Sequence, residues 1–131
     1  MPEVSSAKWM VWTGRVMSAL PVLMMGMSGT MKLIHIKPVV DNWGTFGFPL
    51  STLTPIGLIE VACVVVYLIP RTVVMGAILM SAYLTAAFCT HLRVLDPSGA
   101  APLLLAVFTW GGLWLRDGQI RALIPIRSRI R

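Results

Sequence analysis

Residues 53–93 read LTPIGLIEVACVVVYLIPRTVVMGAILMSAYLTAAFCTHLR. Two continuous apolar runs, about 53–69 and 73–92, are separated only by Pro70, Arg71 and Thr72. A membrane-spanning helix takes about 17–25 predominantly apolar residues, and each run is that long. A link this tight forces the two helices to lie antiparallel as neighbours. A third run precedes them over 9–34, and a fourth follows over 101–115. The fourth is short, and Arg116 reaching outward to the headgroups, or a locally thinned bilayer, would complete it. Trp110 and Trp114, one turn apart near its end, have the placement of interface anchors. The runs are continuous rather than alternating, which argues against a β-barrel. The expected fold is therefore an all-α transmembrane four-helix bundle, a single domain over 1–131 with a basic cytoplasmic tail at 116–131.

Composition agrees. Of the 131 residues, 56% are hydrophobic and 12% charged, with a mean hydropathy of +0.80. A soluble domain is about 25% charged, so lipid must cover much of this surface. No room remains for a separate soluble catalytic domain. The net charge is +6, but Arg121, Arg127, Arg129 and Arg131 crowd the C-terminal end. No aromatic residue interleaves with those arginines, as stacking on single-stranded nucleic acid would require. They read as an anchor against anionic lipid, and no nucleic-acid partner is expected. The N-terminal run is too long for a signal peptide, and no small-residue cleavage pattern closes it, so it is expected to be retained.

Orientation follows from the basic residues. Lys8, Arg15, Arg71, Arg116, Arg121, Arg127, Arg129 and Arg131 fall on the side of the termini, against Lys32, Lys37 and Arg93 on the other, eight to three. Basic residues mark the cytoplasmic side, so both termini are expected there, in the plasma or inner membrane. Trp9, Trp12, Tyr67, Trp110 and Trp114 would form the inner aromatic belt, and Trp43, Phe46 and Phe48 the outer one. The longest link, 37–50, places Val39, Val40, Trp43 and Phe46 at helical spacing. It is either a short amphipathic segment in the interface or an ordered loop with an aromatic belt.

One group stands out as foreign to lipid. Glu60 lies inside the second run, about seven residues or ~10 Å from its outer end. A charge at a helix centre costs roughly 2.5–3.5 kcal/mol on insertion scales. Its carboxyl must be protonated, paired or facing water, and should point into the bundle. Lys32, His91 and Arg93 end neighbouring helices at similar depth, with Asp96 just beyond, and each of the three is a candidate partner. A polar seam is expected along Gly14, Ser18, Pro21, Met25, Ser28 and Lys32 on the first helix. Gly57, Glu60, Cys63 and Tyr67 continue it on the second, and Ala77, Ser81, Thr85 and Cys89 on the third. Hydroxyl and small residues of this kind commonly hold membrane helices together, so Ser18, Ser28, Ser81 and Thr85 read as packing. Glu60 reads as functional, because an intramembrane acid is a functional candidate by default. Cys63 and Cys89 sit at different depths, and no Cys-x-x-Cys occurs. No metal-ligand spacing and no phosphate loop is present.

The order Gly26-Met-Ser-Gly29-Thr-Met-Lys32-Leu33, Gly57-Leu-Ile-Glu60, Tyr67-Leu-Ile-Pro70-Arg71-Thr72 and Thr90-His91-Leu92-Arg93 resembles the DoxX-like family of small four-helix membrane proteins, over about 15–123. The resemblance implies a four-helix fold. It also implies an association with membrane redox systems, since the family takes its name from a subunit of a thiosulfate:quinone oxidoreductase. Lys32, Glu60 and His91 fall where the family pattern has its lysine, acid and histidine. Two functions follow as expectations. The first is a non-catalytic accessory subunit that stabilises a larger membrane complex beside other membrane subunits. The second is a quinone- or lipid-binding component of a redox system, using Lys32, Glu60, His91 and Arg93 as ligand-binding or proton-relay groups. No covalently bound cofactor and no metal is expected, and no reaction is assigned to the chain on its own. No broken-helix pair or inverted repeat speaks for a transporter.

Overall fold

The structure, a computed structural model, describes residues 7–127. Arg129 and Arg131, counted above toward the orientation, lie outside the described residues. Six α-helices occur among these: α1 (Lys8–Leu33), α2 (Lys37–Trp43), α3 (Leu53–Leu68), α4 (Val73–Arg93), α5 (Ala100–Arg116) and α6 (Gly118–Leu123), with no strand. The long helices begin and end within one residue of the apolar runs. The fourth run is longer than it reads in sequence. A 3-10 turn at Pro97–Gly99 leads directly into α5, so Pro97–Arg116 offers 20 residues. The other helices long and apolar enough to cross a membrane are Lys8–Leu33, Leu50–Leu68 and Pro70–Arg93.

The bundle is a ring in which α1 packs on α3 and α5, and α4 packs on the same two. Two glycine pairs permit close approaches. A Cβ on Gly14 of α1 would lie 2.5 Å from the Gly112 carbonyl oxygen of α5. A Cβ on Gly57 of α3 would lie 3.1 Å from the Gly29 oxygen of α1 and 3.0 Å from the Lys32 Cβ. Small residues let helix backbones meet where no hydrophobic effect drives them together. The core between is apolar: Met25, Cys63, Val64, Met80, Leu84, Leu105 and Leu113.

The seam expected on α1 and α3 is largely the buried face, with Gly14, Ser18, Pro21, Met25 and Gly29 on one and Gly57, Glu60, Cys63 and Tyr67 on the other. On α4 the expected stripe is wrong beyond Ala77. Gly76, Ala77, Met80 and Leu84 are buried, while Thr85 and Cys89 face outward. A strict four-residue step advances about 40° per step around a helix of 3.6 residues per turn. Ser81, Thr85 and Cys89 therefore walk progressively off the face that Ala77 starts on.

Both helix ends that frame the Glu60 end of the bundle close alike. After α1, His35 at φ 56 donates to Lys32 O at 3.3 Å and Ile36 donates to Met31 O at 3.3 Å. After α4, Leu95 at φ 56 donates to Leu92 O at 3.1 Å and Asp96 to His91 O at 3.0 Å. This is the Schellman closure, which usually places glycine at the left-handed position. The first closure leads into α2, so the 37–50 link is partly helical. Trp43 is buried rather than belted: its Nε1 donates to Pro49 O at 3.2 Å and Thr52 Oγ1 at 3.1 Å. Its ring stacks on Phe48 at 5.4 Å. The C-terminal segment is not simply a tail, because Asp117 caps α6 by accepting from Gln119 and Ile120, and Ile120 is buried.

Candidate functional site

Three helices deliver the polar groups at one end of the bundle. Lys32 Nζ donates to Glu60 Oε2 at 2.7 Å and to Ser28 Oγ, one turn earlier on α1, also at 2.7 Å. Tyr83 of α4 donates its hydroxyl to the same Glu60 oxygen at 3.0 Å. Glu60 is only 3% exposed and Lys32 13%. No buried side-chain polar atom among the described residues lacks a partner. Lys32 is thus the ionisable partner of Glu60. Tyr83 completes the pair and was not singled out in sequence. Its place in the pattern, seven residues or about two turns before Thr90 on α4, gives no signal of it.

The other two expected members lie elsewhere. His91 Nδ1 is 2.9 Å from Asp96 Oδ2. A carboxylate only accepts, so Nδ1 carries the proton in this contact, and Nε2 has no hydrogen-bond partner among the described residues. The Asp96 carboxyl lies below the usual carboxylate range, through the Ser98 backbone N–H, then the Ser98 hydroxyl, then His91. Arg93 does not reach Glu60. It donates to the Phe46 carbonyl and lies over the Phe48 ring at 5.8 Å. The Phe46 ring meets His91 edge-on at 4.9 Å. Arg93 therefore fastens the aromatic segment onto the end of α4 instead of joining the acid.

Two cavities flank this polar wall. One, about 310 Å³, lies beneath the aromatic segment and is lined by Trp43, Phe46, Phe48, Ile56 and Ile59 opposite Lys32, Tyr83 and His91. The other, about 260 Å³, lies between α1, α4 and α5 and includes Ser28, Glu60, Ser98 and Leu105. Lys32, Tyr83, Ala87 and His91 line both. Ligand pockets begin at about 300 Å³, mostly apolar with a few placed polar groups, and the first cavity has that character. An ammonium has three donors. Ser28 and Glu60 take two of those on Lys32, which leaves one beside the cavity. A planar ring with carbonyl oxygens suits such a chamber, with apolar and aromatic walls for the ring and donors for the oxygens.

A sequence model of the DoxX-like family matches residues 16–112. The chain belongs to the DoxX-like family. No curated protein and no solved structure matches it. This DoxX-like membrane protein carries its Lys32–Glu60 pair and His91 inside the matched segment, with Asp96 and Tyr83 beside them. Arg116 and α6 lie beyond it.

A second polar layer occupies the opposite end, on the seam residues Ser18 and Tyr67, with Arg116 and Trp110 placed otherwise than expected. Tyr67, expected both in the inner belt and on the seam, takes the seam place at 3% exposed. Its hydroxyl donates to Thr109 O at 2.9 Å and lies 2.7 Å from Ser18 Oγ. Arg116, expected to reach outward, turns inward and donates to Ser18 Oγ and, at 3.5 Å, to the Tyr67 hydroxyl. Trp110 also points inward, giving its indole N–H to Ser81 Oγ at 2.6 Å. A hydroxyl-lined interior offered these groups partners that bare helix ends do not.

Proposed function

We propose that this DoxX-like protein binds a lipophilic ligand with an oxygen-bearing head, a quinone or a lipid, in the chamber between the aromatic segment and the Lys32–Tyr83–His91 wall. The observation that carries the reading is the 310 Å³ cavity with aromatics on one side and those three polar side chains on the other. A bound quinone supplies carbonyl oxygens that accept hydrogen bonds and take up protons on reduction. Lys32 holds such an oxygen by its remaining donor. Glu60 and Tyr83 fix the ammonium in place. Asp96 holds the His91 ring so that Nε2 can give or take a proton. Arg93 secures the aromatic wall. The protein sits in the cell membrane with both termini cytoplasmic, the orientation its basic residues favour.

Titrating the detergent-purified protein with a short-chain quinone and, separately, with phospholipid tests this. Trp43 lies on the cavity wall, so saturable quenching of its fluorescence should appear, and be lost in Trp43→Phe. The variant His91→Gln should weaken binding about tenfold, the value of one hydrogen bond to a ligand, and Tyr83→Phe, which only loosens the acid that holds Lys32, should weaken it less. Unchanged titrations in both variants would sink the reading. The second reading is a stabilising accessory subunit of a larger complex. It is favoured by the completeness of the Lys32–Glu60–Tyr83 pairing, which is what a purely structural ion pair requires.

A further inference from the structure

We propose that Arg116 anchors a second binding site, at the end of the bundle away from Glu60, for a phosphate-type anion such as the headgroup of an anionic lipid. The inference is independent of the quinone or lipid chamber. Arg116 ends the apolar stretch Pro97–Arg116, at the depth where a spanning helix meets headgroups. Its side chain is half-buried, and among the described residues its guanidinium has only neutral hydrogen-bond partners. Ser18 Oγ and the Tyr67 hydroxyl accept from it, and the Tyr67 ring lies 5.6 Å away. Neither ion pair among the described residues involves it.

The hydrogens in this layer have fixed directions. The single Tyr67 proton goes to Thr109 O, so Ser18 must donate to the Tyr67 oxygen. Both hydroxyl oxygens are then filled by Arg116, and neither can turn to neutralise it. A guanidinium has five donors. Two are spent on Ser18 and Tyr67, and the other three have no acceptor among the described residues. A charge held at the edge of an apolar slab without a counter-ion is costly. A phosphate fits the vacancy, because its oxygens accept the parallel donors of a guanidinium fork.

The surroundings add positive charge. Arg15 follows Gly14, whose neighbour across the helix contact is the Arg116 backbone. Arg71 lies in the 3-10 turn that follows α3, and Arg121 sits over Trp114 at 5.9 Å. The acid of this end among the described residues is Asp117, whose Oδ1 caps α6.

The test uses the full chain in mild detergent. Its thermal midpoint is followed by tryptophan fluorescence with added phosphatidylglycerol, with phosphatidylcholine, and with inorganic phosphate at millimolar concentration. Phosphatidylglycerol should raise the midpoint by at least about 3 °C over phosphatidylcholine. That increment should vanish in Arg116→Gln, shrink in Arg116→Lys and persist in Lys37→Gln, which removes an exposed charge at the other end. An equal, Arg116-dependent rise with inorganic phosphate assigns the site to the free anion, and its absence assigns it to the lipid. An increment that survives Arg116→Gln, or falls equally in Lys37→Gln, reflects general surface charge and overturns the site. Should Arg116→Gln fail to fold, native mass spectrometry of Arg116→Lys decides. Phosphatidylglycerol retention equal to that of the unsubstituted protein would also overturn it.

Discussion

At the scale of single residues, the burial of Glu60 beside Lys32 and Tyr83 sets the first expectation. Glu60→Gln keeps oxygen and shape, so Lys32 and Tyr83 retain an acceptor. Glu60→Leu leaves the Lys32 ammonium with Ser28 alone. Removing one partner of a buried pair costs about 3–5 kcal/mol, and the Gln variant should cost roughly 1–2 kcal/mol less. Denaturation in detergent, comparing the two midpoints, measures the difference, and equal losses would contradict the role given to Tyr83. Asp96 gives a pH expectation. Its folded pKa is depressed, chiefly by the Ser98 backbone N–H. Such a carboxyl stabilises the fold above its unfolded value of about 3.9, and that contribution fades as pH falls through the lower folded value. The turn at 96–98 should therefore stay protected from amide exchange at neutral pH and loosen only below about pH 4, while Asp96→Asn is loose throughout. That Glu60 needed a polar partner was legible from the cost of an acid in lipid. Which of Lys32, His91 and Arg93 it would take was not. The choice depends on rotation about each helix axis and on the closure after α4, which turns Asp96 back onto His91 and hands Arg93 to Phe46.

At the scale of elements, the four long helices were legible because hydropathy and length alone decide them. The α2 segment and α6 were less so. A seven-residue helix has little periodicity of its own, and α6 is held by the Asp117 cap and by Ile120 packing, both tertiary facts. The closures at His35 and Leu95 were not legible, since neither position carries the glycine that usually marks a left-handed cap, and leucine rarely takes that backbone. They also make a prediction. Leu95 is 84% exposed and keeps φ 56, a conformation that costs an L side chain roughly 1–2 kcal/mol. Leu95→Gly removes that cost and loses almost no packing. It should raise unfolding stability by about 0.5–1 kcal/mol, after the larger entropy of glycine in the unfolded chain is subtracted. A fall in the thermal midpoint would mean that Leu95 is held by lipid contact instead. Gly112→Leu should act oppositely, because a Cβ there would lie 2.6 Å from the Gly14 carbonyl oxygen. It should force α1 and α5 apart and lower the yield of folded protein.

For the whole molecule, two polar layers bracket an apolar middle. Ser28, Lys32, Glu60 and Tyr83 tie α1, α3 and α4 at one end, and Ser18, Tyr67 and Arg116, with the Thr109 carbonyl, tie α1, α3 and α5 at the other. Ser18 and Ser28 are ten positions apart on α1, or about 15 Å of helix. Hydrophobic burial cannot hold helices together in lipid, so this pair of layers fixes their register and rotation. The layer at the Glu60 end can be structural, or it can also be the head-binding wall of the chamber, and the two roles separate in one double variant. Lys32→Met with Glu60→Leu removes both charges together, and the Tyr83 hydroxyl it releases opens on the cavities, where water can accept from it. Matched apolar replacement of a buried pair is often neutral or stabilising, so the folded yield and the thermal midpoint should hold. A single change is no test, because the stranded charge destabilises the bundle under either role. If the layer is only structural, whatever copurifies with the protein in mild detergent should be unaltered by the double change. If Lys32 grips the head of a quinone or lipid, that molecule should disappear from the extract while the protein stays folded. Loss of the ligand with an unshifted midpoint is the outcome expected here, since Lys32 is one of the three side chains that form the chamber's polar wall.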